Sequence, residues 1–165
     1  MNLKRYCLAL CICVGAVLIG ACGKMKGEPD KSIDVQDMDQ SKVKVGLLLS
    51  EWPATALASS EFVVKGVVRN VGQTLPASTA EPGVPLNVYV SYHWLSPDGK
   101  PAVWDGLRTS LGDTLQTGKS RDFSMKVLAP PTPGTYILEV DALLEGKFWF
   151  GPVGSQTARV TVQIN

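Results

Sequence analysis

Cysteine is scarce in this sequence and badly placed for a disulfide fold. Of 165 residues four are cysteines, Cys7, Cys11, Cys13 and Cys22, and none lies beyond position 22. Histidine is scarcer, with His93 alone. One histidine and no cysteine past position 22 exclude a zinc site of ordinary composition. A serine or threonine with His93 and a carboxylate is the nucleophile-and-base set left formally open. No Gly-x-Ser-x-Gly elbow occurs, and Gly154-Ser155 lacks its flanks. Charge of one sign is missing too: 16 Lys and Arg stand against 15 Asp and Glu, which excludes a nucleic-acid groove. No apolar run reaches the roughly 20 residues of a membrane-spanning helix. No stretch holds a helical period over three turns, and there is no internal repeat.

What is present begins with a three-part N-terminus. Lys4 and Arg5 precede an apolar run over residues 8–19 and a small-residue exit at Gly20-Ala21, the layout of a secretory signal peptide. The stretch Ile19-Gly20-Ala21-Cys22 resembles a bacterial lipobox. That resemblance implies cleavage before Cys22 and lipid on its sulfur; the competing readings are an uncleaved anchor and an ordinary secreted protein. A lone cysteine at the start of an exported chain needs a job other than disulfide pairing, and lipidation supplies it. Cleavage would remove Lys4 and Arg5 and leave 14 basic and 15 acidic residues, a balance of −1. Membrane contact then falls to the lipid, which holds stably with two or more acyl chains. Gly23 in place of Asp fits outer-membrane delivery in bacteria that sort by the enteric rule. The expected location is the cell envelope, lipid-anchored, on the periplasmic face of the outer membrane if the source is Gram-negative.

Beyond Cys22, residues 23–42 are polar and mixed in charge, with few large apolar side chains. They read as a tether spanning about 25 Å as a random coil. The expected organisation is a signal peptide at 1–21, lipidated cysteine and tether at 22–42, and one domain at 43–165.

That domain alternates apolar and polar residues in short segments: Val43, Val45, Leu47, Leu49; Phe62, Val64, Gly66, Val68; and Leu86, Val88, Val90, Tyr92, Trp94. Short strands follow at Val103-Trp104 and residues 107–111. Further alternating sets hold Phe123, Met125, Val127; Tyr136, Leu138, Val140, Ala142, Leu144; and Ala158, Val160, Val162, Ile164. Pro97-Asp98-Gly99, Pro130-Pro131 and Pro133-Gly134 punctuate them as turns. Seven to eight strands at this spacing predict an all-β chain, an antiparallel immunoglobulin-like β-sandwich.

Candidate chemistry is thin. Asp141 and Glu145 fall four residues apart on what reads as the outward face of one strand, roughly 13 Å, beyond glycosidase separations of about 5–10 Å. Oxygen ligands at Asp98, Gly99 and Asp105 lack a calcium-loop pattern, and a plain hairpin turn is the competing reading. No metal site, no cofactor and no enzymatic activity are expected. Aromatic and charged residues do gather around two hairpins, at Trp104, Arg108, Glu145 and Trp149. Indole faces there suit stacking on sugar rings or anchoring a protein interface, or they are core. Trp94 reads as a buried strand tryptophan. His93 and Asp141 read as an outward cross-strand pair, and Arg108 as a fork onto Glu145 or Asp141.

The ordered motifs Tyr92-His93-Trp94-Leu95, Asp98-Gly99, Trp104-Asp105-Gly106-Leu107-Arg108-Thr109, Ala129-Pro130, Pro133-Gly134-Thr135-Tyr136, Asp141, Glu145-Gly146, Trp149-Phe150 and Gly154 span residues 62–162. This series resembles an immunoglobulin-like module found as an accessory domain beside bacterial glycosyltransferases and methyltransferases of surface-polysaccharide pathways. The chain departs from it in having no catalytic domain and in Ser110-Leu111-Gly112 after Arg108-Thr109. The resemblance implies a non-catalytic accessory module that touches glycan.

Two functional readings follow. One is a membrane-anchored module that binds an envelope glycan or a polysaccharide-assembly partner through Trp104, Arg108, Glu145 and Trp149. The other is an assembly lipoprotein meeting an envelope protein through a sheet edge or the outward Val63 and Val67, its aromatic cluster wholly core. A hydrolytic third would need His93 open to solvent and beside a hydroxyl.

Overall fold

β-Branched residues at alternate positions, broken by Pro and Gly, set the strands and their inward face. The computed structural model describes residues 38–78 and 83–165; the signal-like segment, Cys22 and most of the expected tether lie outside them. The strands are β1 (Val45–Glu51), β2 (Thr55–Ala56), β3 (Glu61–Asn70), β4 (Val88–Leu95), β5 (Pro101–Val103), β6 (Thr109–Ser110), β7 (Ser120–Leu128), β8 (Gly134–Leu144), β9 (Phe148–Trp149) and β10 (Ala158–Ile164). Seven have three residues or more, against the seven to eight that the spacing predicts. β2 and β9, two residues each, carry no period for a sequence to show. Trp104, expected in a strand, follows the end of β5.

Two sheets form, with orders β1-β3-β7 and β2-β10-β8-β4-β5, and β6 and β9 pair at the edges of β4 and β8. Every pair is antiparallel except β2 with β10. Taken in chain order, the first, second and fourth of the six long strands share one sheet and the third, fifth and sixth the other. This is the immunoglobulin-like β-sandwich. Val64 and Val68 of β3 and Phe123, Met125 and Val127 of β7 face inward onto Val90, Trp94, Leu138 and Val140. Gly66 pairs with Phe123 across β3 and β7. A Cβ at position 66 would stand 2.6 Å from the Phe123 ring and 2.5 Å from the Leu48 carbonyl oxygen, so only glycine lets that ring lie over the strand.

With no disulfide between the sheets, aromatic side chains tie them together. The Trp94 indole N–H donates to the Leu128 carbonyl at 2.9 Å, and the Tyr92 hydroxyl accepts from the Leu128 N–H at 2.8 Å. Both side chains of β4 thus hold the peptide groups of one residue at the end of β7. Trp94 is fully buried, as its alternation predicts, with edge contacts to Phe62, Tyr92 and Tyr136. Tyr136 donates its hydroxyl to the Thr132 carbonyl at 3.1 Å, a tyrosine corner at the start of β8.

The structure corrects the reading of β4 and β8. Alternation assigned their second face, with His93 and Asp141, to solvent. Every residue of β4 is buried, and so is β8 from Leu138 on. Segments around β6 and β9 fold back over that face, and their cover leaves no polar side for a two-residue period to report. The folded unit also begins inside the expected tether: Asp39 caps a 3₁₀ turn at Gln40–Lys42, Gln73 bonds the Asp39 and Lys42 carbonyls, and Met38 packs on the core.

Candidate binding cleft

The antiparallel register sets His93 opposite Glu139 and Ser91 opposite Asp141. Alternation within each strand puts all four on the outer face of the larger sheet, under the returning segments. Two tryptophans close over them. The Trp104 ring stacks on the His93 imidazole, centroids 3.9 Å apart at 18°, and Trp149 leans against the imidazole at 4.2 Å and 56°. Trp104 and Trp149 also meet edge to face at 6.2 Å.

His93 is 1% exposed. Its Nδ1 bonds the carbonyl oxygen of Trp104, an acceptor only, so the Nδ1 carries the proton and Nε2 keeps a lone pair. That Nε2 is buried without a partner among the described residues. Burial pushes the imidazole below its ordinary pKa, against the pull of the Trp104 carbonyl and of Glu139 and Asp105, with Arg108 adding to the depression.

Asp141 is equally closed in, at 1% exposure. Its carboxylate accepts from the backbone N–H groups of Ala142 at 2.7 Å and Gly151 at 3.0 Å. Gly151 must be glycine for this approach, since a Cβ would stand 2.7 Å from Oδ2. Burial outweighs both bonds and holds Asp141 up at about 6, with Glu139 adding to the rise. The cross-strand His93–Asp141 bond expected from sequence does not form: the imidazole is turned to Trp104 and the carboxylate to Gly151. Nor do Asp141 and Glu145 share an exposed face, because Asp141 is buried.

Arg108 forks onto Glu145, as expected, with Nε to Oε2 at 2.7 Å and Nη2 to Oε1 at 3.4 Å. Its Nη1 reaches Asp105 at 2.6 Å, the Gly106 carbonyl at 2.9 Å and Ser91 at 3.3 Å, and its guanidinium lies 5.2 Å from the Trp149 ring centre. The Arg108 and Glu145 side chains are 13% and 18% exposed. Burial opposes the Arg108 charge, yet Glu145 and Asp105 raise its pKa on balance. This pair fastens the two covering segments and braces Trp149 from behind.

Trp104 is 46% exposed. It walls a cleft of about 380 Å³ whose lining includes His93, Glu139, Asp141, Pro152 and Arg159. Of the four residues singled out from sequence, Trp104 alone lines this cleft. Arg108, Glu145 and Trp149 border a smaller hollow of about 220 Å³ with Lys147 and Phe148. Cys22 lies outside the described residues. Asp98 and Asp105 each pair with a cation of the chain, Lys100 at 2.8 Å and Arg108 at 2.6 Å. Sequence reasoning missed Glu139, Thr157 and Arg159. Glu139 Oε1 accepts from Thr157 at 2.8 Å and from Arg159 Nε at 2.9 Å. The signal was there: Glu139-Val140-Asp141 sets two acids on one face of an otherwise apolar strand.

No protein-family model matches the chain, and neither does any curated protein sequence. Solved structures do. The C-terminal domain of wzt is similar over 75% of this chain and 74% of its own, at 10% identity and a TM-score of 0.46. The CARDB domain of a Pyrococcus furiosus protein matches 74% of this chain and 94% of its own, at 13% identity and a TM-score of 0.42. The sporulation control protein Spo0M of Bacillus subtilis matches 75% of this chain and 49% of its own, at 16% identity and a TM-score of 0.41. At such scores the immunoglobulin-like assignment rests on the chain's own strand order and pairing.

Proposed function

We propose that this chain is a lipid-anchored envelope protein without enzymatic activity, held on the membrane through Cys22, whose sandwich binds an envelope glycan or a polysaccharide-assembly partner at the Trp104 cleft. The half-open indole of Trp104 above a floor of buried polar groups carries this reading. A flat apolar wall beside hydrogen-bonding groups suits the two faces of a sugar ring. The cover that buries His93 speaks against hydrolysis: the imidazole bonds a carbonyl and has no hydroxyl partner among the described residues. Arg108, Glu145 and Trp149 act as the frame that holds the wall.

Glycan-array binding by the full chain in detergent tests the site. Binding is expected to be lost in Trp104→Ala with the fold intact; unchanged binding would remove the reading. Mass spectrometry of the membrane fraction checks the anchor, with acyl groups on Cys22 expected and release from membranes in Cys22→Ser.

A second reading has its own observation. The outward face of the smaller sheet exposes Leu48 at 70%, beside its register partner Val67, with Val63 and Leu128 also exposed. An assembly contact there would survive Trp104→Ala and fail in Leu48→Asp, which crosslinking in native membranes would separate.

A further inference from the structure

Three acceptor side chains line the cleft beside Trp104, and one of them holds a buried atom without a partner among the described residues. The first is His93, which lines the cleft, is 1% exposed, and whose buried Nε2 makes no hydrogen bond among the described residues. A buried acceptor left unpaired costs about 1–3 kcal/mol, a cost removed when a donor arrives. The second is Asp141, a buried carboxylate with no ion pair among the described residues and only two backbone donors. Buried carboxylates ordinarily have a cation. The third is Glu139, whose Oε1 accepts from both Thr157 and Arg159, leaving Oε2 without a partner among the described residues.

Donors are few on the same surface. Arg159 already lies on Glu139, with a side chain 60% exposed. An anionic sugar would meet two carboxylates and gain little from a guanidinium so engaged. A neutral hydroxyl could satisfy His93 but would leave Asp141 without a counter-charge. An ammonium group offers three N–H donors and a positive charge from one atom. His93 and Asp141 are diagonal neighbours on adjacent strands, about 7–8 Å apart at the backbone, so one small group can stand between their side chains.

Resting on the reading of the cleft as a carbohydrate site, we propose that it takes a sugar bearing a free amino group, the ammonium lodged among Asp141, Glu139 and His93 Nε2 while Trp104 covers the apolar face of the ring. The cleft then selects for amino sugars and against acidic ones.

The test uses the full chain in detergent at pH 7, titrated calorimetrically with chitosan hexamer, chitin hexamer and a galacturonate hexamer. Chitosan is expected to bind at least about tenfold more tightly than chitin, with no binding of galacturonate. Asp141→Asn and Glu139→Gln should each weaken chitosan about tenfold; Glu139→Gln, at the edge of the cleft, keeps the test open should Asp141→Asn fail to fold. Asp122→Asn, on the opposite sheet, should leave it unchanged. Chitin binding as well as chitosan, with Trp104→Ala abolishing both, would overturn the amino selectivity and leave the glycan site standing. Weakening by Asp122→Asn equal to that by Glu139→Gln would show a diffuse polycation effect and also overturn it. Binding of none of the three would remove the site itself.

Discussion

The His93 imidazole lies flat against the Trp104 indole, centroids 3.9 Å apart and 18° from parallel, while the carbonyl of the same Trp104 holds its Nδ1 proton. One residue thus fixes both the orientation and the dryness of the only histidine in the chain. A single histidine gives a single imidazole Cε1–H signal, and its titration by NMR reads the site directly. The midpoint is expected below 6.5, because burial is the main cause of its depression. In Trp104→Ala the carbonyl remains but the cover goes, so the midpoint should rise towards the ordinary value. An ordinary midpoint in the unaltered protein would contradict the enclosed geometry.

Stability against pH carries two opposed contributions. Asp141 has its folded pKa raised from 3.8 to about 6, so its contribution is full below 3.8 and is lost as pH rises through about 6. The difference is about 3 kcal/mol. His93 has its folded pKa lowered, so its contribution is full above 6.5 and is lost as pH falls below it. Between pH 4 and 7 the two oppose each other. Urea unfolding of Asp141→Asn should therefore show stability falling steadily with acid, and His93→Gln should show it rising. A parallel pH profile in the two variants would contradict the assignment.

Arg108 and Glu145 should be coupled. Removing one partner leaves a mostly enclosed charge, so Arg108→Met or Glu145→Gln is expected to lower stability by about 2 kcal/mol, discounted for the residual exposure of the pair. The double variant should cost less than the sum of the two. A double-mutant cycle by chemical unfolding measures the coupling, and additive losses would deny that the fork fastens the covering segments.

Gly66→Ala is expected to cost about 1–3 kcal/mol by overpacking, since the new methyl meets the Leu48 carbonyl as well as the Phe123 ring. Phe123→Leu should restore only part of the loss, because the backbone oxygen cannot withdraw. Midpoints of thermal unfolding of the two variants and their combination check this.

Much of the fold was legible because the inward faces of β3 and β7 alternate over full strands. Trp94 and the Arg108–Glu145 fork were readable for related reasons: one sits on an apolar face, the other joins opposite charges near strand ends. The cleft was less legible. Alternation in β4 and β8 predicts inside against outside, but here it separates one buried face from another, and no local pattern says that residues some 10 to 18 positions away will return to cover it. The fate of His93 was decided by the turn that presents the Trp104 carbonyl, a backbone group that side-chain identity does not reveal. β2 and β9 were invisible for want of length.

The leading strand is stitched to the wall of the cleft. Lys44 Nζ donates to the Val153 carbonyl at 2.6 Å, the Val45 N–H to Ser155 Oγ at 3.1 Å and the Leu47 N–H to the Gln156 carbonyl at 3.1 Å, while Ser155 lines the cleft. A pull on the segment ahead of Lys44 would load these bonds and the β1–β3 ladder lengthwise, in shear, so that no pair could be peeled open alone. Mechanical tension and cleft occupancy would then converge on Ser155, and an occupied cleft would stiffen the point where β1 joins its wall.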